Sequence, residues 1–519
     1  MTRPGLAAIT ALLRSGALDR AWALFEVAGY AESEDSAALA VKGRLLKERA
    51  VRRAGAEREA LLAGAEAAYA AAHASSPAPY LLINVAALAS LRGDAPRAEM
   101  TAGEVLEILD APGLAETPYY VAATRAEALL LRRDQTGAAQ ALTEAVALHP
   151  MGWEEVAGTI RQLRLILESR GEDAAWLDAY RPPTSLHYAG HLGVAPTGTN
   201  PRTQIDSLLA QERIGAGFGA IAAGADILVA EALLARGVAL HLVLPGRVDA
   251  FAAYSVAPYG ETWLPRFHAC LERATSLRIA ARSNRAHEPL ATALAAETAM
   301  GGALLHARRY ETRAVQLLIV DEGTGPFGTG ANTARDAATW AATGNAQHIM
   351  RWPRDGGAAA PPAPPPDDRR LMAALLVYAG DAGLPGEDDF ASWYAEVLIP
   401  LRTAWPQVIP HGNALLLGFA TPAEAAEAAL KLHAMPLAAR RPLRIAGAYG
   451  IVHAEGGLTG TPVAMAEALA AIAQPGVTSV TDLFASALAV HSRQDRAEWI
   501  GDHDLPGLAE PTGVFVLTR

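Results

Sequence analysis

The sequence predicts a multidomain protein with an all-α region, then an α/β domain with a doubly wound parallel sheet, then an α+β domain. Residues 1–180 carry Ala and Leu at three- and four-residue spacing with little β-branched clustering, which is typical of helices. Residues 184–353 alternate short apolar runs with helical patterns, which predicts a parallel sheet. Residues 371–519 show strand and helix patterns in a different order from 184–353. A Pro-rich segment at 354–370 separates them as a module of their own.

Composition and charge restrict the classes of function. The chain has 519 residues, which is too long for one core, and its formal net charge of −11 argues against a nucleic-acid partner. We find no apolar run of the roughly 20 residues that cross a bilayer, and therefore expect a cytoplasmic protein without a membrane partner. Cys270 is the single cysteine, which excludes an internal disulfide and a cysteine metal cluster.

The helical region contains a weak repeat. Pro79-Tyr80-Leu81 opens one pair of helices and Pro118-Tyr119-Tyr120 opens the next, with turns at Gly93-Asp94 and Asp134-Gln135 between the paired helices. An earlier pair at 17–28 and 36–74 fits this scheme poorly, because its second helix looks too long. The pattern resembles tetratricopeptide-type repeats. Two interpretations stay open: a concave surface for a partner protein, or a helical cap on the next domain.

The stretch Ile214–Pro245 predicts a strand, a tight turn, a helix and a strand. The apolar run Phe218–Ala222 precedes the small-residue turn 223–226, and the helix Asp226–Arg236 leads to the strand Val238–Leu244. Small residues let a ligand approach the backbone, and a helix start offers unpaired N–H groups and partial positive charge. We expect a phosphate or another anion there; the alternative is a turn with no ligand.

Three loops fall where strands end. They are Gly190-His191, Ala223–Asp226 and Phe327–Thr333, and ligands of doubly wound sheets bind at such ends. Neither a Walker A motif nor the dinucleotide fingerprint is present. The Gly-His loop, the "AAGAD" turn and the later "GTGANT" loop together resemble the SLOG superfamily of Rossmann-like domains, whose members bind or process nucleotides and nucleotide-derived signals.

This resemblance covers about residues 184–353 and implies a set of ligand-binding residues. Gly224 and Asp226 would line the first phosphate loop, and Gly328, Thr329, Gly330 and Thr333 the second. From their place in the three loops, we also expect ligand contacts from Gly190, His191, Ala223 and Asn332.

The hydrolase branch of the superfamily has a glutamate after the second loop, where this chain has Asn332, Thr333 and Arg335. That departure favours binding over cleavage. Glu231 and Asp226 are the candidate general bases, although a helix glutamate is also commonly solvated or ion-paired. His191 has two interpretations: it contacts a phosphate or acts as an acid, or it bonds to its own loop.

Residues 371–519, including the "LPGLAEP…VFVL" tail, resemble the class III nucleotidyl cyclase domain, an α+β fold with a ferredoxin-like core. That family needs two metal-binding aspartates and an orienting Asn/Arg pair. The first aspartate falls at or beside Ala379, with Asp381 two positions away, and the second falls at Asn413. The Asn/Arg pair falls near Ala464 and Ala468. The resemblance therefore implies an inactive cyclase-like domain, with no metal expected.

These features favour a regulatory protein that senses a nucleotide or a nucleotide derivative. The implied partners are a nucleotide-like small molecule, a protein on the helical repeats, and a second copy through the cyclase-like domain. No cofactor is certain. The first alternative is an enzyme: either a working cyclase or a nucleotide-cleaving hydrolase in the central domain. The second alternative is a scaffold protein in which neither α/β domain has kept its activity.

Overall fold

The computed structural model describes residues 5–14, 18–51, 53–194, 201–281, 288–321, 331–354, 368–379, 408–435, 442–455, 457–493, 496–508 and 510–518. The chain divides into two compact units. Unit 1 is Met1–Pro182 with the short segment Arg309–Glu311, and unit 2 is Pro183–Arg308 with Thr312–Arg519. Within the described residues, no helix is both long enough and apolar enough to span a membrane.

Unit 1 consists of helices joined by short turns. The helices are α1 (Leu6–Arg14), α2 (Leu18–Val27), α3 (Ser36–Val51), α4 (Gly55–Ser75), α5 (Pro79–Leu91), α6 (Ala95–Asp110), α7 (Pro118–Leu131), α8 (Gln135–Leu148) and α9 (Trp153–Ser169). Asp94 and Asp134 cap α6 and α8 by accepting backbone N–H groups at 3.2 and 2.8 Å, so the predicted turns are N-caps. The single long helix expected at 36–74 is instead α3 and α4, and Gly55 between them has a φ of +60°.

Helix α9 is buried against the repeat helices. Its apolar face packs on α5 and α7, with Ile160 and Leu163 fully buried there. Gln162 on the same helix accepts a hydrogen bond from Lys47 of α3 at 3.1 Å and donates one to Glu127 of α7 at 2.9 Å. Helix α9 is therefore part of the helical core of unit 1, and a protein partner on the helical repeats stays a prediction.

The first sheet of unit 2 is entirely parallel, which confirms the predicted parallel sheet. Its strands are β1 (Thr184–Gly190), β2 (Ile214–Gly219), β3 (Ala239–Leu244), β4 (Ser276–Ile279), β5 (Ala314–Val320) and β6 (Ala346–Arg351), in the order β4-β3-β2-β1-β5-β6. The connecting helices are α10 (Pro201–Gln211), α11 (Ala225–Ala235), α12 (Val248–Ser255), α13 (Trp263–Arg273), α14 (Pro289–Arg309) and α15 (Ala331–Thr343).

Strand β2 starts at Ile214, earlier than the predicted run Phe218–Ala222. Gly215 and Gly217, which precede the predicted run, belong to the strand. A side-chain carbon on Gly217 would lie 2.4 Å from Leu233 Cδ1, so glycine is what lets α11 pack closely on β2.

The second sheet of unit 2 is mixed. Its strands are β7 (Arg369–Ala379), β8 (Val408–His411), β9 (Ala414–Phe419), β10 (Leu443–His453), β11 (Thr459–Gly460), β12 (Thr478–Thr481), β13 (Arg496–His503) and β14 (Thr512–Thr518). The helices are α16 (Pro422–His433), α17 (Thr461–Ala470) and α18 (Asp482–His491). Strands β8 and β9 form an antiparallel hairpin. The sequence analysis assigned no helix to the α18 segment, although DLFASALAVH has helical spacing.

The two sheets belong to one compact unit, so the C-terminal domain is not the isolated module that the Pro-rich linker predicted. Leu294 of α14 lies in the apolar core of the second sheet, and Ala489 and Val490 of α18 lie in a core with residues of β2, β3 and β5. Apolar burial decides this arrangement, because a Pro-rich linker limits reach but does not prevent docking.

Candidate functional site

The order of the parallel sheet reverses between β1 and β5, and this is where a doubly wound sheet opens a crevice at the carboxyl ends of its strands. Gly190 ends β1 and His191 follows it, and Asp321 follows β5. Asn332 and Thr333 lie in the first turn of α15, on the same edge. Gly328, Thr329 and Gly330 lie outside the described residues.

The start of α11 is closed by the chain itself. The Ala225 N–H donates to His191 O at 3.3 Å, and the Gly193 N–H donates to Ala223 O at 3.1 Å. Gly224 has a φ of +117°, and a side-chain carbon there would lie 2.8 Å from Gly193 N and 2.9 Å from His191 O. The backbone thus occupies the position where an anion was expected, and Gly224 serves this loop-to-loop contact.

Gly190 has a similar packing role. A side-chain carbon on Gly190 would lie 2.4 Å from Ala225 Cβ and 2.8 Å from Ile319 O, so glycine lets the end of β1 approach both α11 and β5. Among the sequence-predicted residues, the structure therefore brings the Gly190-His191 and Ala223–Asp226 segments together, but as contacting loops.

Asp226 is a buried carboxyl group in the first turn of α11. Its Oδ2 accepts the Ala222 N–H at 3.2 Å, and its Oδ1 is buried without a hydrogen-bond partner among the described residues. Burial raises the pKa of Asp226 to about 7, the amides of Ala222 and Gly190 counteract part of that rise, and the charge of Asp336 adds to it. A negative ligand at this helix start would face the Asp226 carboxyl group.

His191 is 5% exposed and bonds to the backbone on both sides of its ring. Its Nδ1 lies 3.1 Å from Leu192 O, and its Nε2 lies 3.0 Å from Trp352 O. Burial lowers the pKa of His191, and the two carbonyl contacts act in the opposite direction; the neutral ring has one N–H and donates to only one of these carbonyls at a time. These contacts match the structural alternative for His191, in which it ties the loop after β1 to the chain after β6.

The start of α15 has the opposite character. Its first turn contains no acidic residue, Asn332 is exposed, and Thr333 is half-buried. Arg335 bonds to Asp336 Oδ1 through Nε at 3.1 Å and Nη2 at 2.7 Å, and its Nη1 lies 3.5 Å from Asn332 Oδ1. An arginine beside an uncharged helix start is a suitable environment for an anion.

Further polar groups line this edge that sequence reasoning did not select. Arg354 lies 3.4 Å from Asp321 Oδ2, and Arg351 donates to Asp321 O at 3.4 Å. The hydroxyl of Tyr188 is fully buried with no partner among the described residues; burial raises its pKa, and the charge of Asp226 adds to that rise. The dipeptide Arg335-Asp336, after the glycine-rich loop, was the one sequence signal for these polar residues. Tyr188, Arg351 and Arg354 are distant in sequence and become neighbours only when the sheet forms.

Glu231 is ion-paired. Both its oxygens accept hydrogen bonds from Arg266 at 2.7 Å, and Arg266 also lies 4.3 Å above the ring of Trp263. A carboxylate held by two charge-assisted bonds is a poor base, so the ion-paired alternative for Glu231 is the one that the structure shows.

In the second sheet, the residues at the positions matched to the cyclase site are mostly alanines and do not lie together. Ala379 faces the core shared with α16, whereas Ala468 is buried in the core beneath α17 and Ala464 is exposed on that helix. Asn413 lies in the β8–β9 turn, which α17 approaches through a bond between His411 and Glu467. Asp381 lies outside the described residues. Among the described residues, no group of three His, Cys, Asp or Glu side chains is placed to hold a metal ion.

No protein-family model matches this sequence, and no curated protein matches it. Solved structures similar over 29% of the chain include an adenylate/guanylate cyclase/hydrolase from Silicibacter pomeroyi, at 22% identity over 98% of that chain and a TM-score of 0.24. An adenylyl cyclase from P. aeruginosa is similar at 13% identity over 95% of its chain, with a TM-score of 0.24. A mutant O-GlcNAc transferase from Thermobaculum terrenum is similar over 70% of this chain and 68% of its own, at 13% identity and a TM-score of 0.19. At these scores the likenesses carry no argument about function.

Proposed function

We propose that this chain is a regulatory protein that senses a nucleotide or a nucleotide derivative through its parallel sheet, and that its cyclase-like domain is catalytically inactive. One observation carries the proposal. The parallel sheet reverses its order between β1 and β5, and the start of α15, with Arg335 beside it, lies at the carboxyl edge of that reversal.

The contacts favour α15 over α11 as the anion-binding helix start. At α11 the Ala225 N–H is already used, and Asp226 places a carboxyl group in the first turn. At α15 the first turn lacks acidic residues, and Arg335 supplies a planar cation that suits phosphate oxygens. Arg351 and Arg354 add positive charge at the neighbouring strand end. The phosphate is therefore assigned to the side of the crevice formed by β5 and α15.

The proposal of an inactive cyclase-like domain rests on residue chemistry. Ala379, Asn413, Ala464 and Ala468 stand where the family resemblance implies two carboxylates, an asparagine and an arginine. Neither alanine nor a neutral amide can hold two divalent ions against a triphosphate. A homodimer through this domain and a protein partner on the helical repeats remain part of the proposal.

Binding is tested by titrating the full chain with ATP, GTP, NAD and ADP-ribose and by following the melting temperature and Kd. We expect at least one of them to bind, and Arg335→Gln to weaken that binding about tenfold or more, because it removes a charge-assisted contact. Arg236→Gln is the matched control, since Arg236 is exposed at the opposite end of α11. Absence of binding, or equal binding by the Arg335 variant, would refute the proposed site.

The inactive domain is tested separately by incubation with ATP or GTP and Mn²⁺. We expect no cyclic product. Turnover that disappears in Asp381→Asn would show that the domain is a working cyclase.

One observation favours a second candidate, a nucleotide-cleaving hydrolase. The raised pKa of Asp226, about 7, is suited to proton transfer at neutral pH. Product release from a bound nucleotide, lost in Asp226→Asn but not in Glu231→Gln, would establish this alternative.

A further inference from the structure

A row of polar and aromatic side chains crosses the parallel sheet in register. His187 of β1 pairs with Phe218 of β2 on one side and with Gln316 of β5 on the other. The row continues from Phe218 to His241 of β3, and from Gln316 to Gln347 of β6. His187 is 1% exposed and Gln316 is 0% exposed. Strands of a parallel sheet that are covered on both faces are normally apolar, so buried histidine and amide groups at its centre call for a physical reason.

The hydrogen bonds in one half of this row form a chain with a fixed direction. Gln347 Nε2 donates to Ala337 O of α15 at 3.1 Å and to Gln316 Oε1 at 2.6 Å. Gln316 Nε2 then lies 2.9 Å from His187 Nδ1. Because the Ala337 carbonyl can only accept, it fixes the orientation of both amide groups in turn. His187 Nδ1 must therefore accept the last hydrogen bond, which it does only while it carries no proton.

Helix α15, which this chain holds on the sheet, also contacts the second sheet. Trp340 of α15 stacks on the ring of His187, with the ring centroids 5.8 Å apart and an angle of 19° between the planes. Trp340 is fully buried in a core that includes Val490 of α18. Arg493, just after α18, donates to Ala342 O in the last turn of α15 at 3.0 Å. A displacement of α15 from His187 would therefore also disturb the packing of α18.

The surroundings of His187 do not stabilise a positive charge. Among the described residues, Phe218, Gln316 and Trp340 lie against its ring, and all three side chains are uncharged. Burial lowers the pKa of His187 to about 3. The ring is therefore neutral at neutral pH, as the direction of the hydrogen-bond chain requires.

The other titratable groups on the elements packed against this face have partners of their own. His306 Nδ1 of α14 lies 2.8 Å from Ser185 Oγ, and His241 Nδ1 lies 2.8 Å from Ser276 Oγ. The charged groups are paired as follows: Asp336 of α15 with Arg335, Arg308 of α14 with Ala489 O, Arg278 of β4 with Asp482 of α18, and Glu297 of α14 with Tyr449 and His491. The pKa of His187 shows no influence from any of them.

We propose that His187 is a proton-sensitive switch between the two sheets of unit 2. A proton taken up from solvent at Nδ1 places an N–H group opposite the Gln316 N–H group. The hydrogen-bond chain to Ala337 O then breaks, and α15 and α18 are released from the parallel sheet. This inference does not depend on the nucleotide of the proposed function.

The direction of the pH effect follows from proton linkage. The pKa of His187 falls from its ordinary value of 6.5 to about 3 in the closed arrangement, so the open arrangement binds the proton more tightly. The stability of the closed arrangement is complete above about pH 6.5 and is lost as the pH falls toward about 3. Between about pH 7.5 and about pH 5.5, the opening constant should rise about tenfold through this one group.

Hydrogen exchange in the full chain tests the switch. The amides of α15 and α18 are followed between about pH 7.5 and about pH 5.5, and the intrinsic pH dependence of exchange is subtracted. We expect the opening constant to rise about tenfold more in the parent than in His187→Gln, whose side chain stays neutral and can accept from Gln316. Equal pH dependence of the parent and this variant would overturn the inference.

His433→Gln is the matched control. Burial also lowers the pKa of His433 of α16, to about 4, and its Nε2 lies 2.9 Å from Thr478 Oγ1 within the second sheet. A local release of α15 leaves His433 covered, so this variant should keep the parent's response in α15 and α18. If both variants reduce the response equally, the opening is the unfolding of all of unit 2, and the switch is refuted.

Gln316→Glu tests the same nitrogen while the histidine is kept. A carboxylate at this position accepts from a protonated His187 Nδ1 and still accepts from Gln347, so acid should no longer accelerate exchange in α15 and α18. An unchanged acid response in this variant would contradict proton uptake at His187.

Gln347→Glu moves the added carboxylate one strand further, opposite the Ala337 carbonyl. Two acceptors then face each other, and exchange in α15 should be faster than in the parent already at neutral pH. Parent-like exchange in this variant at neutral pH would show that the chain does not hold α15 on the sheet.

Discussion

Two helices begin at the carboxyl edge of the same parallel sheet, and they differ in the features that decide whether an anion binds. At α11 an N–H group of the first turn is bonded to the loop after β1, and Asp226 adds a carboxyl group. At α15 the first turn has no acidic residue, and Arg335 is adjacent. The difference teaches that a helix dipole is not itself a binding site, because its amides must be available and its first turn must be free of negative charge.

The largest effect on stability is expected at the start of α11, where the loop after β1 contacts the turn before the helix. Gly224→Ala would force alanine to a φ of +117° and place its methyl group against backbone atoms of His191 and Gly193. Backbone strain and overpacking together should cost about 2–6 kcal/mol of unfolding free energy. Chemical denaturation of the two proteins measures the difference. A variant as stable as the parent would show that the two loops do not touch.

The next effect concerns the carboxyl group in the first turn of α11. The pKa of Asp226 is about 7 in the folded protein, above its ordinary value of 3.8. The folded protein favours the neutral form of this carboxyl group. Its contribution to the free energy of unfolding is therefore complete below about pH 4. That contribution, roughly 2–4 kcal/mol, is lost as the pH rises toward about 7.

Asp226→Asn mimics the neutral form, and its stability relative to the parent should therefore increase between about pH 4 and pH 8. Thermal melting across this range measures the difference. Glu231→Gln serves as a control, because Glu231 is held by Arg266 in another part of the helix. A variant that becomes less stable than the parent as the pH rises would mean that the Asp226 carboxylate has a favourable partner.

The smallest effect sharpens the comparison at the start of α15. Asn332→Asp adds a carboxylate to the exposed first turn of α15 and should stabilise the helix by about 0.3–1 kcal/mol. The same charge should repel a nucleotide, so melting temperature and affinity are expected to change in opposite directions. A gain in affinity would place the anion elsewhere.

The sequence by itself determined the elements of this protein. Alternation of apolar runs and helical patterns predicted the parallel sheet. Turns were predicted at Asp94 and Asp134, and in the structure both residues cap the helices that follow. These predictions succeed because propensity, spacing and capping act within a few residues. The second-sheet helix at Asp482–His491 was missed, although its spacing was available.

Only the tertiary structure decided what surrounds the start of α11 and which sheet faces share a core. Gly224 looks like a phosphate-loop glycine in sequence, yet its partners are His191 and Gly193 across a loop-to-loop contact. Likewise, a Pro-rich linker predicted an isolated C-terminal domain, whereas Gly301 packs against Ser486. Local patterns cannot predict such pairings, because they depend on which apolar faces meet after the chain folds and on what lies within a few ångströms of each backbone amide.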